Sequence, residues 1–584
     1  MLHRLAHRTA AAVLLLTGAL IAPAAPALAG SPALTDSPAL AGSPTGAGSP
    51  ALAGSPTRAG SPALAGLPAM TGEGAARARV AAARAVAAAD APVSGFVDAH
   101  AHLFSYEAFG GLLMCGKPFD PGGIARALTD CLDHYPNGEL AWYENFTRTG
   151  SPTGTHDPVG WPTFRDWPAY DSLTHQQAYY TWVERAWRAG LRVLVNDLVA
   201  NRQLCAIYPL KKYSCGEMAS IRLQAQRARE LQDHIDAEAG GPGQGWFRIV
   251  NDPAEARRVI AAGKLAVVLG IETSEPFGCR QVLGVPQCTK AQIDRGLDEM
   301  YALGVRSMFV CHKYDNALCG VRFDSGTQGA IVNVGNLLAT GSFWQARTCT
   351  GPQHDNTIDP AGVLPDQIAR LLPPGVSLPL YPPAPHCNTR GLTALGEYMV
   401  QGMIRRGMLV ELDHMSVKAA ARTLDLLEAA RYPGVISSHS WADPGFFARI
   451  YALGGMITQY GHDAADFVAE WRRTVPLRQQ YQVAGYGYGS DVNGMGRLPA
   501  PRAGNAANPV TYPFTSYDGS ARLDRLRTGD RVWDVNVDGV ANYGLYPDWI
   551  EDMRLIAGPD LVRDLAAGAE SYLRTWEGAV RSAG

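Results

Sequence analysis

Two histidines, His100 and His102, stand one residue apart in "GFVDAHAHLF" (95–104), at the end of a short apolar run. Side chains on an extended chain alternate faces, so both imidazoles point the same way. Further apolar runs close on residues of similar chemistry: Glu272, His312, His414, His439 and Asp491. Imidazole and carboxylate are the ligands that catalytic zinc takes, with one position left for water. Four histidines (His100, His102, His414 and His439) with two carboxylates (Glu272 and Asp491) exceed the needs of one ion. They suit two divalent ions, zinc foremost, about 3.5–4 Å apart, sharing a carboxylate and an activated hydroxide. Taken singly, each residue has a plainer reading: a hydrogen-bonded rim histidine, a salt-bridged Glu272, a turn cap at Asp491. Taken together they recur at the ends of six runs, which chance does not readily supply. Asp98, two residues before His100, and Asp413, next to His414, sit near the histidines as partners that could orient ligands rather than bind metal.

Such a set can meet only if the runs are strands whose ends converge. Eight short apolar runs occur: 95–102, 191–198, 264–272, 305–312, 407–414, 434–440, 454–460 and 485–491. Several are continuous rather than alternating, as in strands buried on both faces. Helical patterns such as "QAYYTWVERAWRAG", "IDRGLDEMYALG" and "TALGEYMVQGMIRRG" precede the second, fourth and fifth runs, each closed by Gly. Alternating helix and strand with eight strands predicts an α/β fold, a (β/α)8 TIM barrel, whose strand C-termini share one face. Long segments rich in Pro, Gly, Trp and Tyr, 103–175, 313–390 and 495–535, follow strand ends. They read as insertions in the βα loops that wall the site, not as separate domains.

The motifs resemble those of the amidohydrolase superfamily, and within it the membrane (renal) dipeptidases. "VLGIE" around Glu272 resembles that family's bridging-glutamate strand, and "VRSMFVCHKYDN" its "LTHxxxN" segment. "LVELDHMS" resembles "IDLSHVS", "PGVISSHS" resembles "PVIASHS", and "GYGSDVNG" resembles "GIGSDFDG". The closing "LYPDWIEDM … GAESYLRTWE" resembles "GLED … GGNFLRVF", so the likeness runs from about residue 95 to 577. The resemblance implies that His100 and His102 hold one metal, His414 and His439 the other, and that Glu272 bridges them. It casts Asp491 as the proton-shuttling base and His312 as a substrate contact that steadies the tetrahedral intermediate. The chain departs from the family in two places. His-x-His replaces the usual His-x-Asp, and the Arg-Asn pair that follows the sixth-strand histidine is missing. Arg449 is the only arginine close by and is the candidate to bind a substrate carboxylate in its place.

The 584 residues carry a formal net charge of −3, with no long Lys/Arg run, which argues against a nucleic-acid partner. Residues 1–29 read as a signal peptide: Arg4 and Arg8, an apolar stretch, then Ala27-Leu28-Ala29. Residues 30–92 read as a linker of Ser-Pro hexapeptides and an Ala-rich segment, and 93–584 as the hydrolase domain. No later run is long enough to span a bilayer. An exported, secreted protein with ten cysteines is expected to form disulfides, and one set is 115/131, 205/215, 279/288, 311/319 and 349/387. "NFT" at 145–147 matches a glycosylation acceptor. The expected activity is dipeptidase-like cleavage of an amide or peptide bond in a small-molecule or dipeptide substrate. Alternatives are hydrolysis of another carbonyl or phosphoryl ester such as a lactone, or an inactive barrel that binds cell-wall material. The oligomeric state is left open, a dimer among the options.

Overall fold

A computed structural model describes residues 91–358 and 375–583. The leader, the hexapeptide repeat and the Ala-rich segment lie outside the described residues. Eight parallel strands form a closed barrel: β1 (Phe96–Ala101), β2 (Leu191–Ala200), β3 (Leu265–Thr273), β4 (Val305–Phe309), β5 (Leu409–Glu411), β6 (Val435–Ser437), β7 (Met456–Tyr460) and β8 (Gly487–Gly489). Each pairs with the next, and β8 closes on β1 with Asp98 opposite Tyr488. A short parallel strand, Phe247–Ile249, adds to the edge of β3.

All eight predicted runs contain a strand, and the continuous apolar runs are the fully buried ones. Every residue of β1 and β3 is buried. Strands β4, β5, β6 and β8 are shorter than their runs. His312 and His414 lie three residues past their strands, and His439 and Asp491 two past theirs. Parity along a strand therefore does not aim these four side chains; the turns do.

The predicted helices are present: α1 (Tyr180–Arg188) before β2, α2 (Lys290–Ala302) before β4, α3 (Ala394–Arg405) before β5. The glycines after them, Gly190, Gly304 and Gly407, have φ of 118°, 94° and 64°. Such values suit glycine, so each helix stops there. Further helices, α4 (Val417–Ala430) and α5 (Phe447–Leu453), connect β5 to β6 and β6 to β7.

All five expected disulfides are present, and no cysteine is free among the described residues. Each clips a segment that follows β1, β2, β3 or β4. These segments carry the walls of the strand-end face, and the cross-links limit how far they can stray. No helix among the described residues is long and apolar enough to cross a membrane.

Candidate metal centre

Seven side chains from six strand ends meet at the C-terminal mouth of the barrel. His100 Nε2 and His102 Nε2 are 3.1 Å apart, and His414 Nε2 and His439 Nε2 are 2.9 Å apart. Glu272 lies between the pairs. Its Oε2 is 3.7 Å from His100 Nε2 and 3.5 Å from His102 Nε2, while Oε1 is 3.2 Å from His414 Nε2. Asp491 Oδ1 lies 3.2 Å from His102 Nε2 and 3.7 Å from His100 Nε2. His312 Nε2 stands 3.5 Å from Glu272 Oε1.

Three of the four rings are held from behind, His414 Nδ1 alone having no hydrogen-bond partner. His102 Nδ1 is 2.7 Å from the Asp197 carbonyl, and His100 Nδ1 is 3.1 Å from the Asp197 carboxylate. His439 Nδ1 is 2.9 Å from Asp413 Oδ2, which also accepts from the His439 N–H at 2.8 Å. Fixing the remote nitrogen sets the tautomer and turns the other lone pair toward the centre. Asp98 acts one step further back: it accepts from the His100 and Ser490 N–H groups and the Tyr543 hydroxyl.

The turns after the strands are tight. His414 and Asp491 have φ of 66° and 50°, unusual for residues with a side chain. Main-chain bonds hold them there: Arg322 N–H to the His414 carbonyl at 2.7 Å, Asp491 N–H to the His100 carbonyl at 2.8 Å. Gly489 is needed because a Cβ there would lie 2.9 Å from His439 Cβ and 3.0 Å from His100 Cβ.

The donor set fits divalent cations. Glu272 is fully enclosed, and burial drives its carboxyl up to about 7 despite His102 and His439. Its Oε1 is buried with no hydrogen-bond donor. A buried carboxylate among imidazole lone pairs is costly alone and favourable around a cation. Asp491 behaves differently. Burial pushes it up, but the hydrogen bond and charge of His102, with His100 and His439, hold it below the usual carboxylate range.

The structure therefore brings His100, His102, Glu272, His312, His414, His439 and Asp491 together. It does not bring Arg449. That side chain lies on α5, and its guanidinium is taken by Glu428 Oε1 at 2.6 Å and Asp425 Oδ1 at 2.8 Å on α4. Two acidic residues one helical turn apart hold it away from the barrel mouth, and sequence distance from His439 could not reveal them. The "NFT" reading also fails: Asn145 is buried, with Nδ2 donating to the Gly138 carbonyl at 2.8 Å.

Sequence reasoning missed Asp197 and the cationic pair Lys313 and Arg322. Asp197 sits inside "LRVLVNDL", where a charged residue in an apolar strand was the available signal. Lys313 follows His312, bonds Asp324 at 3.0 Å and lies over the Trp441 ring. Arg322 is buried beside His414. Its Nη1 has no hydrogen-bond partner and lies 3.9 Å from Asp443.

Residues 382–444, which include β5, His414 and His439, match the model of the membrane dipeptidase family, peptidase family M19. No curated protein matches the chain. Among solved structures, an amidohydrolase from Pseudomonas aeruginosa is 13% identical, with a TM-score of 0.36, covering 69% of this chain and 93% of its own. The dipeptidase AC, a metallopeptidase of family M19, is 14% identical, with a TM-score of 0.37 and coverages of 68% and 88%. A metallopeptidase from Rhodobacter sphaeroides, liganded with a phosphinate mimic of the dipeptide L-Ala-D-Ala, is 12% identical, with a TM-score of 0.38 and coverages of 67% and 88%. The barrel, its donor set and the family match define a metal-dependent hydrolase. Within that class the match to the membrane dipeptidase family is confined to residues 382–444, the segment that carries His414 and His439.

Proposed function

We propose that this chain is an exported binuclear hydrolase that cleaves the amide bond of a dipeptide or a closely related small substrate. The observation that carries the reading is the position of Glu272, whose two oxygens face two different histidine pairs. His100 and His102 would hold one divalent ion, His414 and His439 the other, with Glu272 shared. Zinc is the ion of choice for this nitrogen-rich set. Bound there, the ions would supply Lewis acidity and lower the pKa of an attacking water.

The chain's own groups supply the rest. Asp491 stays ionised and holds Oδ1 beside His102, so it can take a proton from the attacking water. It can then hand that proton to the leaving nitrogen, the two halves of general acid–base catalysis. His312 is buried with its Nδ1 unpartnered, and its Nε2 faces the same space. An N–H donor there would steady the oxyanion that forms on the substrate carbonyl. Arg322, not Arg449, is the cation we assign to a substrate carboxylate: its main-chain N–H bonds the His414 carbonyl, and its buried Nη1, 3.9 Å from Asp443, has no hydrogen-bond partner. The five disulfides support export to an oxidising compartment.

The test is metal analysis with a hydrolysis screen over dipeptides, N-acyl amino acids and lactones. Near two equivalents at the barrel mouth and preference for dipeptides are expected. A preparation with no metal there, or one that cleaves lactones alone, would overturn the reading.

A further inference from the structure

A second group of histidines converges inside the first insertion, away from the barrel mouth. It consists of His134, His156, His175 and Glu144, the last on a short helix, Trp142–Thr149. All four side chains are buried.

Proton counting shows what is unusual about the group. His134 Nε2 is 3.1 Å from the Leu113 carbonyl, which can only accept, so that nitrogen carries the hydrogen. His175 Nδ1 is 2.7 Å from Glu144 Oε2, which also accepts from the Thr174 N–H and hydroxyl at 3.0 and 2.9 Å. His156 Nδ1 is 3.0 Å from Asn145 Oδ1, the amide's acceptor atom, since its Nδ2 donates to Gly138. Each neutral ring thus directs its one hydrogen outward. The bare nitrogens face inward: His134 Nδ1 is 3.3 Å and His156 Nε2 3.4 Å from His175 Nε2. Glu144 Oε1 is buried, accepts no hydrogen bond and lies 3.7 Å from His156 Nε2. Arg148 Nη2 is 3.4 Å from that oxygen but donates to Asp171 Oδ1 at 3.0 Å and the Asp166 carbonyl at 3.2 Å.

Lone pairs are therefore directed at one another with no donor between them. A water donating to two nitrogens about 2.7–3.2 Å away holds them more than roughly 4 Å apart, wider than this spacing. A tetrahedral zinc with Zn–N of about 2.0–2.1 Å places neighbouring donors roughly 3.3–3.4 Å apart, as found. The outward hydrogen bonds to carbonyl, carboxylate and amide oxygen are those that orient metal-bound histidines. Cys131 Sγ is also near His134 and His175, but it is taken up in the disulfide with Cys115.

We propose that the first insertion binds a structural zinc-class cation through His156, His175 and Glu144, whose donor atoms lie within 4.8 Å of one another, with His134 packed against His175 beside them. All three donors are buried in protein, which suits a structural ion rather than one that meets substrate. The cation would brace the wall beside the barrel mouth, because Arg497 Nη2, from the loop that follows Asp491, donates to the Thr147 carbonyl on the helix that carries Glu144 at 2.6 Å.

The test counts metal by place in the whole chain, so it does not depend on the barrel being loaded. Crystals of the wild type equilibrated with zinc chloride are expected to show a zinc-edge anomalous peak between His156 and His175. His156→Ala should lose one equivalent in solution, and its melting temperature should no longer respond to chelator as the wild type's does. Glu272→Gln should keep that equivalent. An anomalous map with no peak in the insertion would overturn the proposal, even if His156→Ala failed to fold. An unchanged zinc count in folded His156→Ala would do the same.

Discussion

The barrel mouth and the first insertion place the same side chains on different supports. At the mouth, His100, Glu272 and their neighbours hang from parallel strands or from the first turn after them. In the insertion, His134, His156 and His175 hang from turns and loops, pinned by hydrogen bonds and by the Cys115–Cys131 bridge. The mouth keeps a second carboxylate, Asp491, within reach of its histidines in addition to Glu272; the insertion has Glu144 alone, with one oxygen held by the Thr174 N–H and hydroxyl. A cluster on strand ends can face a substrate and stay rigid, because the sheet carries the strain of His414 and Asp491. A cluster on loops gains rigidity from what it binds. Donor type alone therefore does not separate catalytic from structural sites; the support beneath the donors and a free base do.

Glu272→Gln should break the mouth most severely. Removing the charge that two cations would share, at nearly constant volume, should abolish turnover and release at least one metal from the barrel. Full metal content and normal rates in the purified variant would sink the two-metal reading. Asp491→Asn should cut kcat by about 10²–10⁴-fold while metal stays bound. If kcat per folded molecule stays normal and only the melting temperature falls, Asp491 is a turn cap and the contrast between the clusters loses its main support.

Asp197→Asn and Asp413→Asn probe the groups behind the rings. Loss of such a partner typically costs about 10–100-fold in metal affinity or activity. The loss should be confined to the barrel metals, measured by competition with a chelator. Arg322→Met addresses the substrate. A hydrogen bond to a charged group is worth roughly 1.5–3 kcal/mol, so KM for free dipeptides should rise about tenfold or more. Amidated dipeptides should be little affected; equal changes on both would make Arg322 structural. Arg449→Met should do least. Its ion pairs with Glu428 and Asp425 lie on the outer helices and are worth at most about 1 kcal/mol. A KM change specific to free carboxylates would reinstate Arg449 at the site.

Much of the mouth was legible because strand ends in a parallel barrel are local signals with a known destination. Buried runs such as "LAVVLGIE" announce themselves by composition, and the residues at the end of each run must emerge on the same face. Six of the eight strands marked the cluster in this way. Cysteine spacing likewise marked three of the disulfides, 205/215, 279/288 and 311/319, as near neighbours that a clip can reach, while 115/131 and 349/387 only completed one set.

The barrel, its insertions and the side chains at its mouth could be read from periodicity and residue type, which are properties of neighbours along the chain. Packing in three dimensions was needed to learn that Arg449 faces α4, that Asp197 backs His100, and that Arg322 Nη1 is buried near Asp443 with no hydrogen-bond partner. The same packing brought His134, His156 and His175 together, from turns with no period to predict where they point. Those outcomes depend on which oxygen lies within about 3 Å of which nitrogen, and that distance is set by loop closure and packing between segments far apart in sequence.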